Sequence, residues 1–165
     1  MKKLLLALAI TILIGSLATF VIVSINNKNT FTEVPYMTEE EVIEKFYSNY
    51  DTFSIVAEYI LSTSGSIDIW RYRDGIYARN NGDSRVAVDD LELGGQIKYL
   101  INDLNFSSIY QDEAGIKVFF EIDFANTSAK GIEYISPGGV QNRFEEDYTP
   151  LEYENWYYYL IPGRG

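Results

Sequence analysis

The feature that most constrains this chain is the apolar run from Leu4 to Ile25. No charge occurs between Lys3 and Lys28, and Thr11, Gly15, Ser16, Thr19 and Ser24 interrupt a stretch of Leu, Ile, Val, Ala and Phe. At about 1.5 Å of helical rise per residue, roughly 20 such residues cross the hydrocarbon core of a bilayer. The expected organisation is a signal-anchor or transmembrane helix over residues 1–28, a polar stalk over 29–37 and one folded domain over 38–165. Lys2 and Lys3 give the N-terminal side the excess of positive charge, so the N-terminus stays in the cytoplasm and the rest is extracellular. The alternative is a cleaved leader, with Ser16-Leu17-Ala18 as a small-x-small site and a secreted product. Thr19-Phe20-Val21-Ile22-Val23 carries the apolar run past that site, which favours a retained single-pass anchor. No Cys follows, so a lipid-modified N-terminal cysteine is excluded.

Beyond the anchor, charge and missing residue types narrow the chemistry. The chain has neither Cys nor His. Disulfides, thiolate nucleophiles, Cys-ligated metals and the commonest general base are therefore absent. Three of the thirteen bases (Lys2, Lys3, Lys28) flank the anchor and every acid comes later, so the exported part carries ten bases against 24 acids, a net charge of −14. Such a surface repels nucleic acid and anionic lipid, and nucleic acid is not an expected partner.

The pattern along the domain mixes periods of 3.6 and 2. Thr38-Glu39-Glu40-Glu41 is a capping box, with Met37 placed to staple onto Val42. Ile43, Phe46, Tyr50, Phe53, Ala57 and Ile60 then form one apolar stripe, predicting a helix over 39–62 that stops before Gly65. Arg73-Asp74-Gly75-Ile76 marks a hairpin pairing Tyr72 with Tyr77 and Trp70 with Arg79. One face of it carries Trp70, Tyr72, Tyr77 and Arg79; the other carries Ile67, Ile69, Ile76 and Ala78, plus Arg71. A short strand is expected near Arg85 to Val88. A second helix is expected after a cap at Asp89 or Asp90, with Glu92 completing a box and Leu93, Ile97, Leu100, Ile101 and Leu104 as its stripe. The adjacent Gly94 and Gly95 weaken its start, or mark close approach of another backbone. The last third reads as an antiparallel meander of about four strands, beginning with Phe106 to Gln111, which leads into a turn at Asp112-Glu113-Ala114-Gly115. Ile116, Val118, Phe120, Ile122 and Phe124 face one way along a strand from Ile116 to Phe124, while Lys117, Phe119, Glu121 and Asp123 face the other. Another strand runs from Gly131 to Ser136. An acidic loop spans Val140 to Glu154, and a final strand covers Trp156 to Ile161. The fold class is α+β, two helices packed on one face of an antiparallel sheet made of the hairpin and the meander.

The anchor, the two helices, the stretch Lys130-Gly131-Ile132-Glu133-Tyr134-Ile135-Ser136-Pro137 and the later Trp156-Tyr157-Tyr158 together resemble small membrane-anchored proteins of low-GC Gram-positive bacteria. The resemblance is spread over the exported domain. It implies a bacterial cell-surface setting and carries no catalytic residue to transfer.

Four constellations are candidates for chemistry. Glu121 and Asp123 lie two apart on one strand face, about 6–7 Å between α-carbons, a spacing a glycan hydrolase can use. With so many acids, such a pair also arises from a plain solvated face. Asn80-Asn81-Gly82-Asp83 and the Glu145-Glu146-Asp147 loop are rich in oxygen, but neither has the spacing of an EF-hand, so no metal or cofactor is assigned. Arg71, Arg73, Arg79 and Arg85 fall within one segment. They can clamp a carboxylate or phosphate, or pair with neighbouring acids while Arg79 stacks on Trp70. Aromatic residues are the strongest signal, with 14 Tyr, 9 Phe and 2 Trp. Only one row of the final strand can face the helices, which leaves Tyr157 and Tyr159 on the other face, toward solvent, a partner, or the Val140 to Glu154 loop folded over them, with the hairpin bearing Trp70 and Tyr72 as a helper. These four are the candidate ligand-binding residues, for a protein or glycan outside the cell. A third role, accessory subunit of a membrane complex, would work through the anchor, where Gly15 and Ser16 form a small patch.

Overall fold

The computed structural model describes residues 37–72, 74–80, 85–123, 129–139 and 148–161. Contacts divide the chain into Met1–Glu33 and Val34–Gly165, and all described residues belong to the second unit. The run from Leu4 to Ile25 therefore lies outside them. No helix among the described residues is long and apolar enough to cross a membrane.

The capping box forms as expected. The Glu41 backbone N–H donates to the Thr38 hydroxyl at 3.2 Å, and the Glu41 carboxylate accepts from the Thr38 N–H at 2.7 Å. The helix that follows is not continuous to residue 62. It is two helices, α1 (Glu39–Ser48) and α2 (Tyr50–Ser62), divided at Asn49. Asn49 has φ −132° and ψ 21°, outside the helical well, and its side-chain amide donates to the Lys45 carbonyl at 2.8 Å. Asn competes with the backbone for hydrogen bonds, and here it closes one helix and opens the next. The apolar stripe survives the break, since Val42, Phe46, Phe53, Val56, Ala57 and Ile60 are all buried.

The sheet is one continuous antiparallel layer of eight strands in the order β3-β2-β1-β4-β5-β6-β8-β7. β1 (Ile67–Tyr72) and β2 (Gly75–Asn80) form the hairpin, and β3 (Val86–Ala87) edges it. Observed partners are Trp70 with Tyr77 and Tyr72 with Gly75, two residues displaced from the expected register. A slip of two leaves every side chain on its expected face, whereas a slip of one would have inverted the hairpin. A 3-10 turn (Val88–Asp90) precedes α3 (Gly94–Lys98), which widens into a π-helical turn at Tyr99–Asp103. The cap expected at Asp89 or Asp90 is not used. Leu93 occupies the cap position without a side-chain hydrogen bond, because the chain closes a 3-10 turn first. Asn105, at φ 62°, ends the segment.

The meander is longer than expected and joins the hairpin directly. β4 (Ser108–Gln111) pairs with β1, and β5 (Lys117–Asp123), β6 (Ala129–Ile135) and β8 (Trp156–Ile161) follow in turn. β7 (Tyr148–Pro150), inside the stretch expected to be loop, adds an edge strand to β8. All three helical segments supply the core with the inner rows of the sheet. Phe53 meets Phe106, Phe120 and Trp156 edge-on, with centroids 4.9–6.4 Å apart. Two helix-proximal carbonyls near α3 are satisfied by cations: Lys45 Nζ donates to Leu104 at 3.1 Å, and the Arg71 guanidinium donates to Ile101. Cations at a helix C-terminus also favour its dipole.

Candidate functional site

With the helices covering the inner face, the outer face collects the candidate residues. Strand pairing sets Tyr77, Trp70, Ser108, Glu121, Gly131, Tyr159 and Tyr148 in one row across it. The adjacent row is Arg79, Asp68, Tyr110, Phe119, Glu133, Tyr157 and Pro150. The face divides into two zones of different character.

The zone over β4 to β8 is closed. Tyr159 is fully buried, packed with Phe119 and Tyr148, and Tyr157 is half-buried. Tyr159 is thus no contact residue, contrary to the expectation for it, and Tyr157 offers only part of its ring. Tyr110 stacks on Phe119 at 4.9 Å, and its hydroxyl donates to the Glu121 carboxylate at 3.1 Å. The enclosed Tyr159 hydroxyl feels Tyr110, which in turn donates to Glu121, so the three side chains follow one another as a chain of neighbours. Burial first, then the charges of Tyr110, Glu121 and Glu133, push the Tyr159 hydroxyl well above its ordinary pKa. Beside this chain, Lys117 Nζ and a Glu133 carboxylate oxygen lie 3.4 Å apart, almost wholly enclosed. Gly131, between Glu121 and Tyr159, cannot be replaced in place: a Cβ there would stand 2.0 Å from the Phe120 carbonyl oxygen.

The zone over the hairpin is open. Tyr72 is 51 % exposed and Trp70 half-buried. Arg79 lies over the Trp70 ring, 5.4 Å from its centroid, and pairs with Asp68 at 3.6 Å. Arg85 reaches between two rings, 4.9 Å from Tyr72 and 4.6 Å from Tyr77. Cation–π contacts of this kind contribute about 0.5–1 kcal/mol each at exposed sites and hold the guanidinium groups in place.

Of the four expected contact residues, Trp70 and Tyr72 share the open zone, whereas Tyr157 and Tyr159 belong to the closed one. Glu121 faces outward and is engaged by Tyr110; the backbone of Asp123 pairs with Ala129, and its side chain lies outside the described residues. Arg73 and the stretches 81–84 and 140–147 also lie outside them. Among the described residues, no group of three or more acids is placed to hold a metal. The Lys117–Glu133 pair was not visible in the sequence. A charge on an exposed and on a covered sheet face gives the same alternation, and only the outer cover distinguishes them.

The fold and this face define an α+β domain with an open aromatic–arginine surface at one end of its sheet. Comparison with protein families, with curated proteins and with solved structures finds no match for the chain.

Proposed function

We propose that the chain is a non-enzymatic binding module, held outside a bacterial membrane by the run from Leu4 to Ile25, that recognises a carboxylate-bearing protein surface through the hairpin. The observation that carries this reading is Arg79 and Arg85 lying over Trp70, Tyr72 and Tyr77 on a domain whose net charge is otherwise strongly negative. Guanidinium groups oriented by aromatic rings suit bidentate contacts to carboxylates. The same stacking places cations where a sugar ring would lie, which favours a protein over a glycan. Tyr72 adds exposed apolar area with a polar tip, the mixture common at recognition surfaces.

The test uses a photo-crosslinking amino acid at position 72 of the full-length chain in its own membrane, with position 55 as control. Ile55 is 48 % exposed on α2, on the helical side of the sheet. A light-dependent adduct from position 72 and none from 55 supports the reading. Equal labelling from both, or none from 72, defeats it. Full-length product found dissolved in the cytosol would remove its setting altogether.

A further inference from the structure

A second feature of the hairpin lies where the end of β1 and the start of β2 meet α3, and it shares Tyr72 with the stacked rings. A pocket of about 300 Å³ opens there, lined by Arg71, Tyr72, Ile76, Asp89, Lys98 and Asn102, with Gly75 at its rim. Its volume falls at the small end of ligand pockets. Arg71 and Ile76 are cross-strand partners on the helix-facing side of the hairpin, beyond the point where Ile67 and Ile69 are buried. The core ends there and the pocket begins.

The lining has a definite chemical pattern. Arg71 is anchored by donating to the Ile101 carbonyl, which fixes its guanidinium against the π-helical turn. A guanidinium has five N–H donors in a fork, so one bond to the protein leaves others for a ligand. Asn102, from the same turn, supplies an amide. Opposite in character is Asp89, 72 % exposed at its side chain, which accepts from Lys98 Nζ at 2.6 Å through one oxygen. A carboxylate has capacity for further donors beyond one ammonium contact. Tyr72 and Ile76 form an apolar wall. π-Helical turns are frequent at functional sites because they displace side chains from the regular helical rows.

Two cations facing one anion and an apolar wall do not match a simple anion. A dianionic phosphate would meet the Asp89 carboxylate. A small zwitterion avoids that clash, its ammonium sharing the exposed Asp89 carboxylate with Lys98 through the second oxygen. We infer that this pocket binds a free amino acid with an apolar side chain, its carboxylate on Arg71 and Asn102, its ammonium on Asp89, and its side chain against Tyr72 and Ile76. The pocket shares Tyr72 with the stacked-ring surface, but Arg71 and Asp89 take no part in the ring stacking, so loss of leucine binding would leave the contacts of Arg79 and Arg85 untouched.

The test measures ligand-observed NMR and calorimetric binding to the full-length protein in detergent micelles. L-Leucine is the probe, against 4-methylpentanoate (the acid without the ammonium), isopentylamine (the amine without the acid) and inorganic phosphate. Leucine should bind saturably in the millimolar range or tighter, 4-methylpentanoate at least severalfold more weakly, and isopentylamine and phosphate not measurably. Arg71→Gln should abolish leucine binding. Because Arg71 also holds the Ile101 carbonyl, Asp89→Asn provides a second arm at an exposed position. It should erase the preference for leucine over 4-methylpentanoate while leaving the fold intact. Absence of saturable leucine binding, phosphate binding as strongly as leucine, or leucine affinity unchanged in both variants would each overturn the inference.

Discussion

Gly94 and Gly95 are neighbours at the start of α3, yet the same substitution should move stability in opposite directions. A Cβ on Gly95 would meet nothing within 4 Å, so Gly95→Ala adds helix propensity and removes unfolded-state freedom without a steric cost. The expected gain is about 0.5–1 kcal/mol. A Cβ on Gly94 would stand 2.2 Å from the Val88 carbonyl oxygen and 3.1 Å from its carbon. Relief requires the Val88 carbonyl to retreat by about 1 Å to reach ordinary contact. That carbonyl accepts from the Leu91 N–H at 3.0 Å, and the Val88 side chain is buried, so neither end yields freely. Overpacking of this kind costs about 1–3 kcal/mol, which exceeds the propensity gained. Gly94→Ala should therefore lose about 1–2 kcal/mol net, and the two variants should differ by about 2 kcal/mol or more. Urea unfolding of the full-length protein, followed by tryptophan fluorescence, would read this as midpoints on either side of the parent, about 1 M apart for a typical m-value. Equal shifts for both variants, or an unchanged Gly94→Ala midpoint, would refute the claim that Gly94 is required by close backbone approach.

Thr38→Ala removes the hydroxyl that accepts from Glu41 and should cost about 1 kcal/mol in urea or thermal unfolding. Glu133→Gln takes the anion from an enclosed Lys117 and should cost about 3 kcal/mol, whereas replacing both residues with Met and Leu should recover most of that loss in the same assay. Stability should fall on the alkaline side. The Tyr159 hydroxyl is raised well above its ordinary value of 10.0, so its contribution is full below pH 10 and is lost as pH rises toward the folded value. Lys130, buried and lowered from 10.5 by desolvation, acts in the opposite sense, its penalty lifting as pH rises through its folded value. The fully enclosed tyrosine carries the larger shift and sets the net sign. Tyr159→Phe should flatten the fall above pH 10 in a pH series of unfolding midpoints, and an unchanged slope would count against this assignment.

Much of the fold is legible in residue period, because period is local. The row Val118, Phe120 and Ile122 reads correctly as the inner face of β5, and the final strand is found at Trp156–Ile161 as expected. Hairpin faces are also correct although the pairing is displaced, since the alternation of Ile67 and Ile69 against Trp70 and Tyr72 fixes faces and not registers. What fails depends on competition between local options. Asn49 has ordinary neighbours for a helix interior, and it is held at a break by its side chain, which donates to the Lys45 carbonyl and accepts from the Tyr99 hydroxyl. The acids at 89 and 90 look like caps, but the buried Val88 closes a 3-10 turn around them. The candidate surface was legible as composition and only in part as place. Trp70 and Tyr72 are open, but whether Tyr157 and Tyr159 face solvent depends on what lies over the second face, which alternation within β8 does not encode.

The distribution of bases explains why the hairpin is the place to look. Among the described residues, Lys45 is committed to the Leu104 carbonyl, Lys117 to Glu133 and Lys130 to the Met37 carbonyl, each bond joining separate parts of the fold. The other described bases, Arg71, Arg79, Arg85 and Lys98, all lie around the hairpin and the start of its neighbouring helix. On a domain of net charge −13 over residues 38–165, that concentration is costly in neither burial nor repulsion, because each cation has an aromatic ring, an acid or a carbonyl beside it. At physiological salt a charge is felt over about 8 Å, so a ligand at the hairpin responds to these four groups more than to the distant acids. On the proposed reading, the acidic remainder would repel polyanions, which meet many charges at once, while a small or local carboxylate would meet only the basic end. The two proposals therefore rest on one arrangement of charge: each asks the basic end to take a single carboxylate, and each predicts weak binding of a nucleic acid.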